Sequence, residues 1–124
     1  MRKKLLIVDD SELIRTSLLG LLAGIQGIDA TYTADSLAQA LDRVLQESPT
    51  LTILDLHLRD GNAIQILGTL KHLAPRMQVV MLTNDANAFN RSKCLQAGAD
   101  WFFDKSTEFK QVIAVVQQHA SPLH

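Results

Sequence analysis

Residues 3 to 15 read "KKLLIVDDSELIR". Four apolar residues, Leu5 to Val8, run straight into two adjacent acids, Asp9 and Asp10. Apolar side chains at consecutive positions mark a strand covered on both faces, as in a parallel sheet. The acids need a separate reason. A helix start needs one capping side chain, and Ser11 can supply it. Two neighbouring carboxylates repel each other, so the second acid requires a partner from elsewhere in the chain.

The same pattern recurs downstream. "LTILDL" (51–56) and "QVVML" (78–82) are again apolar on consecutive positions, "DATYTA" (29–34) is a more polar strand suited to an edge, and "WFF" (101–103) is a short fifth strand. Helical periodicity fills the intervals. Residues 11 to 25 place Ile14, Leu18, Leu21, Leu22 and Ile25 on one face. Ser36 can cap a helix to residue 48 whose inner face is Leu37, Ala40, Leu41 and Val44, with Pro49 beyond its end. A third helix spans about 63–74 before Pro75, a weakly amphipathic fourth spans 87–97 up to Gly98, and a fifth spans 107–120 with Phe109, Val112, Ile113 and Val116 inward. Strand–helix alternation with right-handed crossovers predicts an α/β fold, a doubly wound five-stranded parallel sheet with helices on both faces. At 124 residues, the whole of 1–124 reads as one domain.

Composition excludes several classes of function. The chain is 47 % hydrophobic and 20 % charged, hence globular rather than disordered. Twelve basic against thirteen acidic residues give a net charge of −1, so no strong field attracts nucleic acid or anionic lipid. Apolar runs of four or five residues are too short to span a membrane, and the acids at 9 and 10 break any secretory signal pattern. Cys94 is the only cysteine, which rules out an internal disulfide and reads as a structural thiol in a reducing cytoplasm. His57, His72, His119 and His124 show no ligand spacing, and the last three are expected to be structural.

In a doubly wound sheet, the functional site lies outside the carboxyl ends of the strands. Asp9 and Asp10 stand at the end of the first strand, Asp55 at the end of the third, Thr83 at the end of the fourth and Lys105 just after the fifth. Three carboxylates carry −3 and Lys105 returns +1, so a divalent hard cation would neutralise the rim. Mg2+ suits it, taking one or two carboxylates, waters and a phosphate oxygen.

This constellation resembles the response-regulator receiver domain of two-component signalling, over the whole chain. The resemblance implies the flavodoxin-like strand order 2-1-3-4-5. It implies Mg2+ bound by Asp9, Asp10, Asp55 and the backbone carbonyl of His57, and Asp55 as acceptor of a phosphoryl group from a histidine kinase or phosphotransfer protein. Thr83 and Lys105 would contact the phosphoryl oxygens, and Phe102, three residues before Lys105, would rotate as Thr83 moves. The output would be a changed surface on the fourth helix, fifth strand and fifth helix, acting on an output domain or partner, with transcriptional control and homodimerisation on phosphorylation among the outcomes. "LQAGADWFFDK" (95–105) also matches the family's turn into the fifth strand. Such a chain is a cytoplasmic signalling switch, not an enzyme acting on others.

The sequence departs from the family pattern at Arg59 and Ala63, where proline and glycine are usual, at Asn84, where a small residue is usual, and at Ser106, where many members carry proline. His57, Asn84 and Asp85 are the positions expected to tune access and hydrolysis, Asn84 either by narrowing the channel or merely by capping the fourth helix. Two other readings stay open: a pseudo-receiver used only for binding, and a haloacid-dehalogenase-type Mg2+ phosphatase. The first would fit loss of an acid or the lysine, and all are present. The second needs an aspartate where His57 stands. A dinucleotide-binding domain would need glycines where "DDSEL" stands.

Overall fold

The computed structural model describes residues 2–122; the expectation for His124 lies outside them. β1 (Lys4–Val8) shows why consecutive apolar residues were needed. Leu5 and Ile7 point into one hydrophobic layer, with Leu18 and Leu22 of α1 (Glu12–Leu22) and Val112, Val115 and Val116 of α5 (Phe109–Ala120). Leu6 and Val8 point into the other, with Ala40 and Val44 of α2 (Leu37–Glu47), Leu67 and Leu70 of α3 (Ile64–Leu73) and Cys94 of α4 (Ala88–Gln96). A strand alternates its side chains across the sheet, so both faces must be apolar when both are covered. Truncating a fully buried residue such as Leu6 to alanine would cost about 2–5 kcal/mol.

The main sheet is parallel and ordered β2 (Ala30–Ala34), β1, β3 (Leu51–Leu54), β6 (Gln78–Thr83), β7 (Trp101–Asp104), which is the predicted 2-1-3-4-5 once a small hairpin is set aside. That hairpin, β4 (His57–Leu58) paired antiparallel with β5 (Gly61–Asn62), follows β3 and was not anticipated. Its sequence signal was the Asp60-Gly61 dipeptide, a turn marker; Gly61 adopts φ +145°, closed to other residues without strain. From β1 the chain moves outward to β2 and then back across to β3. The connections after β1 and β3 therefore diverge, opening a crevice at their carboxyl ends.

Several boundaries and faces differ from expectation. α1 stops at Leu22, and Ile25 packs from the following turn instead, its N–H on Leu22 O at 3.1 Å. Leu21 is 49 % exposed, because it lies about 100° around the helix from Leu22, at the edge of the stripe that Leu18 and Leu22 bury. On α5 the buried positions are Val112, Val115, Val116 and Ala120, with Phe109 and Ile113 half-buried against the cluster that holds the three valines. Ser11 and Ser36 cap α1 and α2 as predicted, accepting from Ile14 N at 3.3 Å and Gln39 N at 3.2 Å. α4 is capped by Asn87, whose Oδ1 accepts from Asn90 N at 2.8 Å, so Asn84 is not its cap. No helix of the described residues is long and apolar enough to cross a membrane.

Candidate functional site

The crevice between β1 and β3 receives the acids. Asp9 directly follows β1 and is fixed by backbone and side chain: its N–H donates to Ala34 O at 3.1 Å, and its Oδ1 accepts from Ser11 N at 2.9 Å. Asp55 directly follows β3, its N–H on Val8 O at 3.0 Å. Carboxylate oxygens of Asp9, Asp10 and Asp55 all lie within 4.8 Å of one another. Asp9 (3 % exposed) and Asp55 (8 %) are buried, while Asp10 is exposed.

Lys105 closes the rim from the other side. Its backbone N–H donates to Thr83 O at 3.0 Å, which docks the segment after β7 on the end of β6. Its Nζ lies 2.6 Å from Asp9 Oδ2 and 3.0 Å from Asp55 Oδ2. Burial works to lower the pKa of this ammonium, but hydrogen bonds and charge from Asp9 and Asp55 outweigh it and hold the pKa above the usual lysine value. For Asp55 the balance goes the other way. Burial pushes its pKa up, and Lys105 only partly offsets that. Further positive charge beside such a carboxyl would favour its ionised form.

The donor set fits a hard divalent cation. Three carboxylates and one ammonium leave a charge of −2 on oxygen ligands, the kind Mg2+ prefers. The His57 carbonyl is free to join them. Ala63 N–H donates to Leu56 O at 2.7 Å, so the alternation of an antiparallel ladder makes His57 opposite Asn62 the pair without hydrogen bonds.

The remaining predicted positions differ in where they lie. Thr83 ends β6, is 1 % exposed, and its Oγ1 accepts from Asp85 N at 3.1 Å. His57 and Asp85 face each other, Nε2 to Oδ2 at 2.7 Å, bridging the loops after β3 and β6; the His57 hydrogen bond holds the Asp85 carboxyl below its usual range. Asn84 is exposed. Phe102 is 4 % exposed and already packed into the layer beneath α4, so a rotation inward from solvent has no outward starting point here. Cys94 is buried, its thiol pushed up to about 11, as a structural thiol would be. His72 is exposed in the last turn of α3, and His119 Nε2 hydrogen-bonds Thr50 Oγ1 at 2.8 Å, far from the rim. Two clefts, of about 220 Å³ beside Trp101 and about 460 Å³ beside Lys4 and Arg76, lie at the amino ends of the strands, away from the acids.

Sequence reasoning missed two supports. Arg15 donates to the Asp9 carbonyl at 2.7 Å, and Arg91 donates to the Phe102 carbonyl at 3.2 Å, tying α4 to β7.

Residues 5–117 match the family described as the response regulator receiver domain. The chain belongs to that family. Among curated relatives, it is 29 % identical over 114 residues to the DNA-binding transcriptional activator DevR/DosR of Mycobacterium tuberculosis, covering 92 % of this chain and 52 % of that protein. It is 34 % identical over 110 residues to a putative transcriptional regulator of Pseudomonas aeruginosa, covering 89 % and 53 %. The receiver thus spans about half the length of the curated relatives it matches. Among solved structures, a CheY-like receiver domain protein from Methanospirillum hungatei superposes with a TM-score of 0.84 at 26 % identity, covering 97 % of this chain and 94 % of that one. A Burkholderia pseudomallei response regulator carrying a phosphorylated aspartic acid, a calcium ion and citrate superposes at 0.83 with 26 % identity, covering 98 % and 70 %. Receiver domains of two-component regulators are signalling switches rather than metabolic enzymes, and they work with histidine kinases and output domains.

Proposed function

We propose that Asp55 is the phosphoacceptor of this receiver. The observation that carries the reading is the pairing of a buried strand-end carboxylate, its pKa raised by burial, with the Lys105 ammonium 3.0 Å away, beside two further acids. A carboxylate oxygen of Asp55 attacks the phosphorus of a kinase or phosphotransfer-protein phosphohistidine in line. The O–P bond forms as the P–N bond breaks, and the imidazole leaves with the electron pair and takes up a proton. With a small acyl phosphate, the carboxylate product leaves instead. Lys105 stabilises charge on the equatorial oxygens.

Asp9, Asp10, Asp55 and the His57 carbonyl would hold Mg2+, with Asp10 a direct ligand and Asp9, already engaged by Lys105 and Ser11, acting partly through water. When bound, the cation neutralises the acids and polarises the phosphoryl oxygens. Thr83, released from the Asp85 amide, turns its hydroxyl toward the phosphoryl group, and Phe102, packed inside already, follows within the core. Arg91 would pass that change to α4, altering the surface of α4, β7 and α5, which is a local electrostatic event biasing a packed element. Asn84 and the His57–Asp85 pair set access to phosphorus and the rate of hydrolysis.

The reading extends to the chain as one unit: residues 1–124 form a receiver domain, cytoplasmic, answering a histidine kinase. The α4–β7–α5 face controls an output domain or protein partner, with transcriptional regulation the output named for its relatives and homodimerisation one way to deliver it. The pseudo-receiver alternative gains nothing from a site with all three acids and the lysine in place. Incubation with Mg2+ and acetyl phosphate should add one phosphoryl mass to the parent and none to Asp55→Asn. A full adduct on the variant overturns the assignment.

A further inference from the structure

Arg59 and Asp60 form the two-residue tip of the β4–β5 hairpin. Neither belongs to the constellation at the rim. Asp60 nevertheless reaches across to another element: Oδ1 accepts from Leu37 N at 2.8 Å and Oδ2 from Ala38 N at 3.1 Å. These are the first two amides of α2, and Ser36 Oγ takes the next, Gln39 N. The helix is therefore capped twice, once by its own N-cap residue and once by the loop that carries Asp55. A carboxylate at a helix start is favoured by the helix dipole, and the amides of Leu37 and Ala38 hold Asp60 below the usual carboxylate range. Arg59 adds a second tie, 2.8 Å to Asp35 Oδ1. Asp35 follows Ala34, whose carbonyl receives the Asp9 N–H.

The base of the same hairpin is His57, whose carbonyl has no ladder partner and faces its metal-ligating role only if the hairpin keeps its orientation. Two strands of two residues are too short to hold themselves. The base is tied by Ala63 N–H to Leu56 O and by the His57 side chain to Asp85, and the anchored tip adds the ties at the other end of the hairpin.

We propose that Asp60 is a positioning residue for the metal site: by capping α2 it fixes the hairpin tip, and so fixes the His57 carbonyl at the hairpin base. This rests on the receiver reading of Asp9, Asp10 and Asp55. Coupling between two sites is reciprocal. If the α2 cap favours cation binding, cation binding must in turn tighten the cap.

The test measures Mg2+ affinity by calorimetry, and hydrogen exchange at the Leu37 and Ala38 amides, for the parent, Asp60→Ala, Asp60→Asn and Ser36→Ala. In the parent, Mg2+ should slow exchange at both amides. Asp60→Ala should weaken Mg2+ by about tenfold, the lower end of what supports behind a ligand contribute. Asp60→Asn should weaken it less, because its amide oxygen still accepts one bond, and this isosteric variant carries the comparison if the alanine variant does not fold. Ser36→Ala removes the other cap of α2 and should leave Mg2+ affinity unchanged. Equal affinity in the parent and Asp60→Ala overturns the proposal, as does a loss in Ser36→Ala as large as that in Asp60→Ala. A parent that binds no Mg2+ overturns the receiver reading of the acids, and the proposal with it; a parent that binds while Asp60→Ala binds equally well overturns the proposal alone.

Discussion

The Nζ of Lys105 lies 2.6 Å from Asp9 Oδ2, closer than its 3.0 Å approach to Asp55 Oδ2, so one ammonium ties the ends of β1 and β3 together. Its side chain is 8 % exposed and the two carboxylates 4 % and 10 %. Removing one partner of a buried pair leaves an uncompensated charge. Lys105→Met should therefore lower stability in metal-free buffer at pH 7 by about 3–5 kcal/mol. Burial already raises the Asp55 pKa, and loss of the ammonium raises it further. A carboxyl raised in the folded state penalises folding above that pKa and ceases to do so as pH falls through it. The gap between variant and parent in urea titrations should thus narrow on acidification from pH 7.

Asp10 is the one exposed acid of the trio, so its replacement should spare the fold and cost the cation. Asp10→Ala is expected to bind Mg2+ more than tenfold more weakly than the parent, about 1.4 kcal/mol or more. Calorimetry is the direct readout, because Trp101 stands at the amino end of β7, beside the 220 Å³ cleft and at the other end of that strand from Lys105. Unchanged affinity would remove Asp10 from the ligand set.

Asp9, Asp10, Asp55, Thr83 and Lys105 were legible in the sequence because a site at strand ends follows from element boundaries alone, and those boundaries are marked by apolar runs. The sheet order was legible only through family resemblance, since nothing in β2 states which strand it joins. Asp60, Arg15 and Arg91 were illegible for a different reason. Each bonds backbone atoms, Asp60 across to α2, Arg91 to β7 and Arg15 only six residues back, and a backbone amide or carbonyl looks the same at every position. Leu21 misled because helical spacing admits a residue to an apolar stripe without saying where the stripe is centred.

Asp60 gives the acid response a local component. Its pKa is depressed by the Leu37 and Ala38 amides, so its contribution to stability is present above the ordinary aspartate value of about 4 and is lost as pH falls through the folded-state value. Measured by urea titration, Asp60→Asn should be less stable than the parent by a constant amount between about pH 5 and 7, with the gap closing below about pH 4. A gap that persists undiminished in acid would mean that the charge on Asp60 does not support α2.

His57 and Asp85 bridge the loops after β3 and β6, 2.7 Å apart. If they act as one strap, His57→Ala and Asp85→Ala should each change the lifetime of the aspartyl phosphate in the same direction. The double variant should then match either single variant within about twofold rather than multiply the effects, as residues in one network do. Independent, multiplying effects would show that each acts alone on the attacking water.

Asn84 separates crowding from capping. The alternative that it caps α4 is closed by Asn87, whose Oδ1 accepts the Asn90 amide at 2.8 Å and so performs that task. Asn84 remains exposed between Thr83, which is buried at the rim, and Asp85, which is held by His57. On the proposed reading, an amide side chain there would narrow the path by which a phosphodonor or a water molecule reaches phosphorus, and in-line displacement depends on that path being open. Narrowing acts in both directions. Asn84→Ala should therefore quicken both labelling by acetyl phosphate and loss of the phosphoryl group, each by about threefold to tenfold. Stability should hold, since no helix cap is lost. Acceleration of labelling alone would assign Asn84 to donor selection, and unchanged rates in both directions would leave it without a part in the site.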